Sequence, residues 1–351
     1  MKKTVALLFG GASSEYAVSC VSAACVADNI DKNAFDIRLL GITQNGEWYL
    51  YNGSTDDMRN LSWVQKTENL TPAVISPSKT HHGILLSDGT VIRLDAVFPV
   101  LHGKNGEDGT MQGLFTLAGI PFVGCSTYSS AVCMDKITTK ILCEKVGVPV
   151  VPYTYFRKDG FDIEKAVLEC EEKLEYPMFV KPANAGSSVG ITKANDREEL
   201  VKGFEIAFDN DYKVLVETGI SCAREIEVAM LGNGNAIPSV CGEIAPGADF
   251  YDYETKYVSD TASYYVPARI SESLSETIRE TSKKIYSTLD CAGLSRVDFF
   301  LDAKDTLYFN EINTIPGFTP ISMYPGLMGK CGYSYSKLIE KLIDYACEET
   351  L

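Results

Sequence analysis

Histidine is scarce in this chain, and the cysteines lack the spacing of a metal site. The 351 residues include three histidines, of which His81 and His82 are adjacent, and eleven cysteines without a C-x-x-C pair. Structural zinc sites usually combine paired cysteines with histidines. We therefore expect no zinc site, and we interpret the scattered cysteines as reduced thiols of a cytoplasmic protein.

Excess positive charge and long apolar runs are also absent. Lys and Arg number 32 against 47 Asp and Glu, which gives a net charge of −15. A broad nucleic-acid surface needs a basic face, so we expect no nucleic-acid partner, although a local basic pocket for phosphates stays open. No apolar run is long enough to span a membrane, so no membrane partner is expected. The short apolar run before Gly10 predicts a buried first strand and not a signal peptide.

The common nucleotide-binding fingerprints are missing. Neither G-x-G-x-x-G nor G-x-x-x-x-G-K-[ST] occurs in the chain. Other glycine-rich turns are present at residues 10–15, 102–109 and 186–190. Turns of this kind can bind phosphates or a zwitterion through backbone N–H groups, but ordinary hairpin turns have a similar composition.

The hydrophobic pattern predicts a mixed α/β fold that begins with a parallel βαβ unit. Strands are predicted at 4–9, 35–43, 94–101, 122–125, 177–182, 191–193, 213–217 and 224–231. Helices are predicted at 18–29, 110–118, 129–146, 198–208, 271–289 and 333–346. Residues 45–92 resemble an insertion of short strands and loops, and the tyrosine-rich segment 246–263 is predicted to be a mobile lid.

The stretch 295–317 predicts two strands around a polar turn at residues 302–305. With a turn of four residues, Arg296 lies opposite Glu311, and Asp298 lies on the same face of the hairpin. Asn313 also belongs to that face. Two carboxylates and a carboxamide oxygen are ligands suited to Mg²⁺ shared with phosphates, whereas a solvated hairpin face is the competing interpretation.

Two further polar residues stand beside glycine-rich turns. Glu15 follows the first predicted strand, where a carboxylate is more often a partner of the helix dipole than a catalytic group. His102 begins the loop 102–109 at the carboxyl end of a strand, where open α/β sheets bind ligands. A loop histidine without a role is an equally good interpretation of the pattern alone.

Taken together, the motifs resemble those of the D-alanine–D-alanine ligase family, within the ATP-grasp superfamily. The matching motifs, in chain order, are G-G-x-S-x-E, H-G-x-x-G-E-D-G-x-x-Q-G, M-D-K, V-K-P with G-S-S-V-G, F-Y-D-Y-E-x-K-Y, S-R-V-D and N-E-I-N-T-x-P-G-F-T. They are collinear over almost the whole chain and weakest at 45–92. The resemblance implies a three-domain ATP-grasp architecture, with an N-terminal domain at 1–127, a central subdomain at 128–216 and a C-terminal subdomain at 217–351.

The resemblance also implies a reaction. ATP phosphorylates the carboxylate of one D-alanine, and the amine of a second D-alanine attacks the acylphosphate. Asp298, Glu311 and Asn313 would hold two Mg²⁺ ions, with Mn²⁺ as a substitute. ATP contacts implied in the same way are Lys136, Lys181, Ser187, Ser188, Glu217, Glu225 and Lys256.

On the substrate side, Arg296 and the N–H of Gly317 match the family's oxyanion donors. The remaining implied residues are Glu15 and His102 at the first D-alanine, Ser322 at the second, and Ser187 and Tyr257 linked to Glu15. Tyr257 argues against D-lactate as second substrate and Met323 favours D-alanine over D-serine, which stays the alternative. The resemblance further implies a homodimer built on the N-terminal domain.

Overall fold

The computed structural model describes residues 2–186, 189–221, 223–245 and 263–348 of the chain. The described residues form three β-sheets with helices packed on them. No helix in these ranges is both long and apolar enough to cross a membrane. Four predicted site residues, Ser187, Ser188, Lys256 and Tyr257, and almost all of the predicted lid lie outside the described residues.

The first sheet has the order β6-β5-β4-β3-β2-β1-β7, with β2, β1 and β7 parallel. The strands of residues 45–92 extend this sheet as antiparallel neighbours, so the sheet is mixed. Its elements are β1 (Lys3–Gly10), α1 (Tyr16–Asn29), β2 (Phe35–Ile42), β3 (Trp48–Tyr51), α2 (Thr55–Arg59), β4 (Leu70–Ile75), β5 (Gly83–Leu86), β6 (Val91–Arg93), β7 (Ala96–Pro99) and α3 (Thr110–Ala118).

The second sheet is antiparallel, with the order β10-β9-β11-β8. It buries apolar side chains of the helices α6 and α7 in one core. The elements of this part are α4 (Thr127–Met134), α5 (Lys136–Lys145), β8 (Tyr153–Arg157), α6 (Ile163–Lys173), β9 (Met178–Pro182), β10 (Thr192–Ala194), α7 (Arg197–Asn210) and β11 (Lys213–Thr218).

The third sheet has the order β15-β14-β12-β16-β17, and β13 pairs with β12. Its elements are β12 (Arg224–Leu231), β13 (Ile237–Pro238), β14 (Gly242–Ala245), β15 (Ser263–Tyr265), α8 (Glu272–Thr288), β16 (Leu294–Leu301), β17 (Leu307–Asn313), α9 (Met323–Lys330) and α10 (Tyr335–Cys347). Ser271 caps α8 through its side chain, as the sequence predicts.

The C-terminal helix α10 packs on the N-terminal part of the chain. Its apolar stripe, which includes Leu338 and Leu342, shares one buried core with Leu7 and Phe9 of β1. Apolar residues at helical spacing bury such a stripe against a neighbouring sheet. The predicted division into 1–127, 128–216 and 217–351 stays a prediction, and β11 continues past residue 216.

Two predicted elements are wrong. Residues 122–125 form only an isolated bridge from Phe122 to Val97, because Gly124 has a φ of +112°, which does not fit an extended strand. The predicted helix 129–146 is two helices. Asp135 separates them with extended backbone, and its carboxylate caps α5 by accepting from the N–H groups of Ile137 and Thr138 at 3.1 and 3.0 Å.

Candidate active site

The β16–β17 hairpin brings the predicted metal ligands together with a register that the sequence did not predict. Asp298 lies directly opposite Glu311, and Arg296 lies opposite Asn313. The predicted pairing of Arg296 with Glu311 is therefore wrong. Leu301 pairs with Leu307, so the turn has five residues, and an irregularity between Asp298 and Phe299 shifts the register once more.

Asp298 is the centre of a hydrogen-bonded group on this face. Its two carboxylate oxygens accept from Nε and Nη2 of Arg296, each at 2.7 Å. Nδ2 of Asn313 donates to the same carboxylate at 2.9 Å. Burial opposes the charge of Arg296, but the carboxylates of Asp298 and Glu227 outweigh burial and raise its pKa well above the usual value.

The predicted metal ligands fit a divalent cation in donor chemistry. Asp298 and Glu311 face each other from adjacent strands, and Asn313 adds a carboxamide oxygen on the same side. Hard oxygen donors of this kind suit Mg²⁺. In the described ranges no group of three or more His, Cys, Asp and Glu side chains is arranged to hold a metal ion.

Lys136 connects the start of α5 to this hairpin. Its ammonium lies 3.6 Å from Oε2 of Glu311 and donates to the carbonyl of Ala185 at 2.8 Å. It therefore lies between the predicted metal site and the glycine-rich loop 186–190. A lysine in this position can contact a phosphate as a point charge.

Glu217 lies between two lysines in the interior. Its oxygens are 2.7 Å from the ammonium of Lys140 and 2.5 Å from that of Lys181. Glu217 is 2% and Lys140 is 1% exposed. Burial alone would raise the pKa of Glu217, but the two ammonium groups lower it to about 2. Because Lys140 supplies a second positive charge, Glu217 does not cancel the charge of Lys181.

Glu15 lies against two glycine-rich loops. The residue is buried at the N-cap position of α1, and its side chain makes no capping hydrogen bond. A Cβ atom at Gly103 would lie 2.3 Å from Oε2 of Glu15, and one at Gly186 would lie 3.1 Å from it. The carboxylate therefore reaches the residue immediately before Ser187.

His102 and Glu107 hold the backbone of Ile315, which follows β17, at its C=O and its N–H. Nδ1 of His102 is 2.9 Å from the carbonyl oxygen of Ile315, and a carbonyl can only accept, so Nδ1 carries the proton. Oε1 of Glu107 accepts from the N–H of Ile315 at 3.3 Å, and Oε2 accepts from the N–H of Gly103 at 2.6 Å. Burial lowers the pKa of His102 despite the nearby Glu15. The loop 102–109 thus positions the segment that leads to Gly317.

Burial and the charge of Glu15 raise the pKa of Glu107 to about 8. A carboxyl whose pKa is higher in the folded state stabilises the fold most below its unfolded value, near 4.5, and this contribution disappears as the pH rises through about 8. We expect the thermal midpoint of the wild type to fall relative to that of Glu107→Gln between pH 5 and pH 8.5, measured by circular dichroism.

The comparison with Glu107→Gln isolates this carboxyl from its neighbours. The other titratable groups of the site are present in both proteins, so the pH dependence that the two proteins share cancels in the difference. A constant difference between the two midpoints across this pH range would show that Glu107 is ionised throughout.

Ser322 lies beside Gly317 at the start of α9. Its hydroxyl oxygen accepts from the N–H of Thr319 at 3.1 Å and is 2.8 Å from the Thr319 hydroxyl. A Cβ at Gly317 would approach this oxygen to 3.2 Å. The two residues predicted for the oxyanion and for the second substrate are therefore adjacent.

Glu225 lies on β12, opposite Phe300 of β16 and Ile244 of β14. By strand alternation it shares the face of Glu227 and Asp298. This face carries the predicted metal ligands, so Glu225 lies on the expected side of the sheet for a nucleotide contact.

Sequence reasoning missed three charged residues of this region. Glu107 stood inside a quoted motif without a role, Lys140 lies one helical turn after Lys136, and Glu227 is two residues from Glu225 on the same strand face. These spacings were a usable signal for Lys140 and Glu227. Nothing in the pattern showed that Glu107 binds the backbone of Ile315.

Two family models match the chain. The D-ala D-ala ligase N-terminus matches residues 4–125, and the D-ala D-ala ligase C-terminus matches residues 142–344. The chain belongs to the D-alanine–D-alanine ligase family. The predicted family, the ATP-grasp fold class and the enzyme class are thereby confirmed.

Relatives of this ligase-family chain match it over its whole length. It is 51% identical to the D-alanine–D-alanine ligase of Ruminiclostridium cellulolyticum, over 99% of this chain and 96% of the relative. It is 47% identical to that of Acetivibrio thermocellus, with the same coverage. As a member of this family, the protein uses ATP and a divalent metal ion and acts on small molecules.

Solved structures of family members have the same fold. The VanG D-Ala:D-Ser ligase from Enterococcus faecalis is 44% identical, with a TM-score of 0.91 over 99% of this chain and 100% of that chain. The D-alanine–D-alanine ligase from Coxiella burnetii is 32% identical, with a TM-score of 0.88 over 99% of this chain and 94% of that chain.

Proposed function

We propose that this protein joins two D-alanines into D-alanyl-D-alanine for peptidoglycan precursor synthesis, coupled to the conversion of ATP to ADP and phosphate through an acylphosphate. The observation that carries the proposal is the meeting of the Asp298–Glu311 carboxylates with the guanidinium of Arg296 and the ammonium of Lys136. Phosphoryl transfer to a carboxylate needs such a combination of cation ligands and fixed positive charge.

Asp298, Glu311 and Asn313 would hold the divalent metal, as two Mg²⁺ ions that Mn²⁺ can replace. A bound metal supplies neutralisation of the phosphate charge and a template for in-line transfer. Lys136, which lies 3.6 Å from Glu311, would add its charge at the same phosphates. Asn313 would turn its oxygen to the metal, since its Nδ2 already donates to Asp298.

The remaining nucleotide contacts are proposed along the groove from β11 to β12. Lys181 would bind phosphate while Lys140 keeps Glu217 neutralised, and Glu217 would lie at the adenine edge. Glu225 would bind the ribose hydroxyls. Ser187, Ser188 and Lys256 complete the proposed set from outside the described residues.

The substrate side follows from the two loops that meet at Glu15. Glu15 would hold the ammonium of the first D-alanine next to His102, linked to Ser187 and Tyr257. The carboxylate of this D-alanine attacks the terminal phosphate of ATP and becomes an acylphosphate.

The amine of the second D-alanine then attacks the acyl carbon. Arg296 and the N–H of Gly317 would stabilise the oxyanion of the tetrahedral intermediate, and the adjacent Ser322 would bind the second carboxylate. Collapse of this intermediate forms the amide bond and releases phosphate.

Gly103 is expected to be required for the position of Glu15. An alanine at this position brings a Cβ to 2.3 Å from Oε2 of Glu15 and forces the carboxylate to move. Because misplacement of a substrate-positioning group by about 1 Å can lower the rate ~100-fold, we expect Gly103→Ala to lower kcat/KM for D-alanine roughly 100-fold. The measurement is ADP release against D-alanine concentration.

Gly160→Ala is the matched control for the backbone strain of this substitution. Gly160 has a φ of +71° against +74° for Gly103, and among the described residues no atom beyond Gly160 and its two chain neighbours lies within 4 Å of the position that its Cβ would take. Its activity should stay within about twofold of the wild type, since changes away from special sites rarely matter. Equal losses in both variants would show that strain alone, and not Glu15, lowers the activity.

D-serine as second substrate is the alternative, because the VanG relative at 44% identity is a D-Ala:D-Ser ligase. Met323 favours D-alanine in this chain. Its side chain packs on Gly242 of β14, where an added Cβ would meet Cε of Met323 at 2.4 Å. It places no charged or hydrogen-bonding group toward Ser322.

The deciding experiment is a competition between substrates. Purified protein is incubated with ATP, Mg²⁺ and equimolar isotope-labelled D-alanine and D-serine, and the dipeptides are identified by mass spectrometry. We expect ADP release that depends on D-alanine, with D-alanyl-D-alanine as the main product. Mainly D-alanyl-D-serine would select the alternative, and no dipeptide would overturn both.

The protein is further proposed to act in the cytoplasm as a homodimer built on its N-terminal domain. The described cysteines are all free thiols, as expected in a reducing compartment. Leu117, on α3 of this domain, is 64% exposed and is a candidate for the dimer contact. Sedimentation of the wild type and Leu117→Asp would test this state.

A further inference from the structure

Arg296 has a second carboxylate partner besides Asp298. Nε of Arg296 lies 3.1 Å from Oε2 of Glu227, which belongs to the neighbouring strand β12. Both side chains are largely buried, with 18% of Arg296 and 6% of Glu227 exposed. Because the single N–H of Nε donates to Asp298, the contact with Glu227 is an ion pair from a second strand.

The strand register explains this arrangement. Glu227 lies opposite Asp298, and Asp298 lies opposite Glu311, so three carboxylates form one row across β12, β16 and β17. Carboxylates directly opposite each other repel. Arg296 lies opposite Ala229, whose small side chain leaves room for the guanidinium to lean toward Glu227 and Asp298.

The bonds of Asp298 to Arg296 conflict with its proposed role as a metal ligand. Asp298 accepts two hydrogen bonds from Arg296 and one from Asn313. Three of the roughly four lone-pair positions of this carboxylate accept these bonds, so coordination of a metal ion through both oxygens would displace donors of Arg296. Arg296 then needs an anchor that does not bind the metal.

We propose that Glu227 is a positioning residue for Arg296. It holds Nε of the guanidinium while Asp298 turns to the metal, so that the remaining N–H groups stay directed at the oxyanion. This inference rests on the proposed function, and Glu227 acts only through Arg296.

The first test is the kinetics of Glu227→Gln, which keeps the size of the side chain. We expect kcat to fall roughly 30-fold, part of the ~100- to 1,000-fold loss typical of removing an oxyanion donor. KM for ATP and for D-alanine should stay within about twofold, because the lost interaction acts in the transition state. A rise in KM with unchanged kcat would overturn the proposal. Glu227→Asp keeps the charge and should recover part of kcat, and it serves as the second variant if Glu227→Gln does not fold.

The second test is a double-mutant cycle with Arg296→Lys. Lysine cannot form the two-point contact of a guanidinium, so Glu227 has little left to position. In this background we expect Glu227→Gln to lower kcat by less than about threefold. An equal loss of kcat in both backgrounds would mean that Glu227 does not act through Arg296.

Binding of Mn²⁺ without nucleotide gives a readout apart from turnover. Without Glu227 the guanidinium stays on Asp298 and competes with the cation, so we expect the Kd for Mn²⁺, measured by electron paramagnetic resonance of the free ion, to rise roughly fivefold. In the Arg296→Lys background the same substitution should change this Kd less than about twofold. An unchanged Kd in the wild-type background would overturn the proposal.

Glu243→Gln is the matched control. Glu243 is a buried carboxylate on β14 that pairs with Arg224 and Arg269, and its partner in the register is Ile226, on the opposite face from Glu227. The kcat and the Mn²⁺ affinity of Glu243→Gln should stay within about twofold of the wild type at a temperature where this variant is folded. Failure of the wild type to form a dipeptide would overturn the proposed function, and the Mn²⁺ measurement would still decide the link between Glu227 and Arg296.

Discussion

Replacing Glu311 by glutamine is expected to lower dipeptide formation by at least ~1,000-fold while the protein stays folded. Glu311 faces Asp298 across the hairpin and lies 3.6 Å from the ammonium of Lys136. The substitution removes a charge and one of the two carboxylate oxygens that are proposed to bind the metal, and a catalytic cation contributes several kcal/mol, or roughly three powers of ten in rate. ADP release and mass detection of D-alanyl-D-alanine measure the effect.

Asp302→Asn is the control in the same hairpin. Asp302 accepts from the N–H groups of Lys304 and Thr306 in the exposed turn, far along the strands from Glu311. The same change of carboxylate to carboxamide there should leave turnover within about twofold. Near-normal turnover of Glu311→Gln would refute the metal-ligand assignment, whereas loss of circular dichroism would show that Glu311 is structural.

Lys140→Met is expected to cost about 3 kcal/mol of folding stability. Lys140 is 1% exposed and pairs with Glu217 at 2.7 Å. Methionine preserves the shape but leaves the buried carboxylate with Lys181 alone, and breaking a buried pair costs about 3–5 kcal/mol. Because Lys181 still pairs with Glu217, we expect a loss of stability at the lower end of this range. Urea unfolding at pH 7 measures the change in the free energy of unfolding.

Lowering the pH should reduce the difference in the free energy of unfolding between the wild type and Lys140→Met. The pKa of Glu217 is about 2 in the folded protein against an unfolded value near 4.5. A lowered carboxyl pKa stabilises the fold above the unfolded value, and the contribution disappears as the pH falls through about 2. The free energies of unfolding of the wild type and Lys140→Met should therefore converge as the pH falls from 4.5 to about 2.

Two further variants complete the Lys140 experiment. Lys145→Met changes an exposed residue of the same helix and should alter stability by less than about 0.5 kcal/mol. In Lys140→Met/Glu217→Gln the buried charge is gone, so part of the lost stability should return. A double variant less stable than Lys140→Met would contradict an uncompensated charge as the cause.

The sequence predicted the elements well where one local pattern dominates. The first strand, the helix capped by Ser271 and the β16–β17 hairpin all follow from periodicity and capping residues. The break at Asp135 was missed because residues 129–146 keep a helix-compatible composition. Only the capping hydrogen bonds of Asp135 and its buried pair with Lys213 fix it as a boundary.

Contacts between distant segments were beyond local patterns. The irregularity beside Asp298 places Glu311 opposite it, and no turn rule predicts this shift. The hydrogen bond of Glu107 with Ile315 and the approach of Glu15 to Gly186 join segments far apart in the chain. The identity of these partners depends on how the three sheets pack.

The sequence by itself determined the family, the ligase chemistry and the residue types of the site, because these depend on motifs whose order and spacing are local. Tertiary structure decided which charges meet. It placed Glu227 on Arg296, Lys140 on Glu217 and Lys136 on Glu311. The physical reason is that a buried charge needs a counter-charge within a few ångströms, and the folded chain supplies it from whichever strand or helix packs nearby.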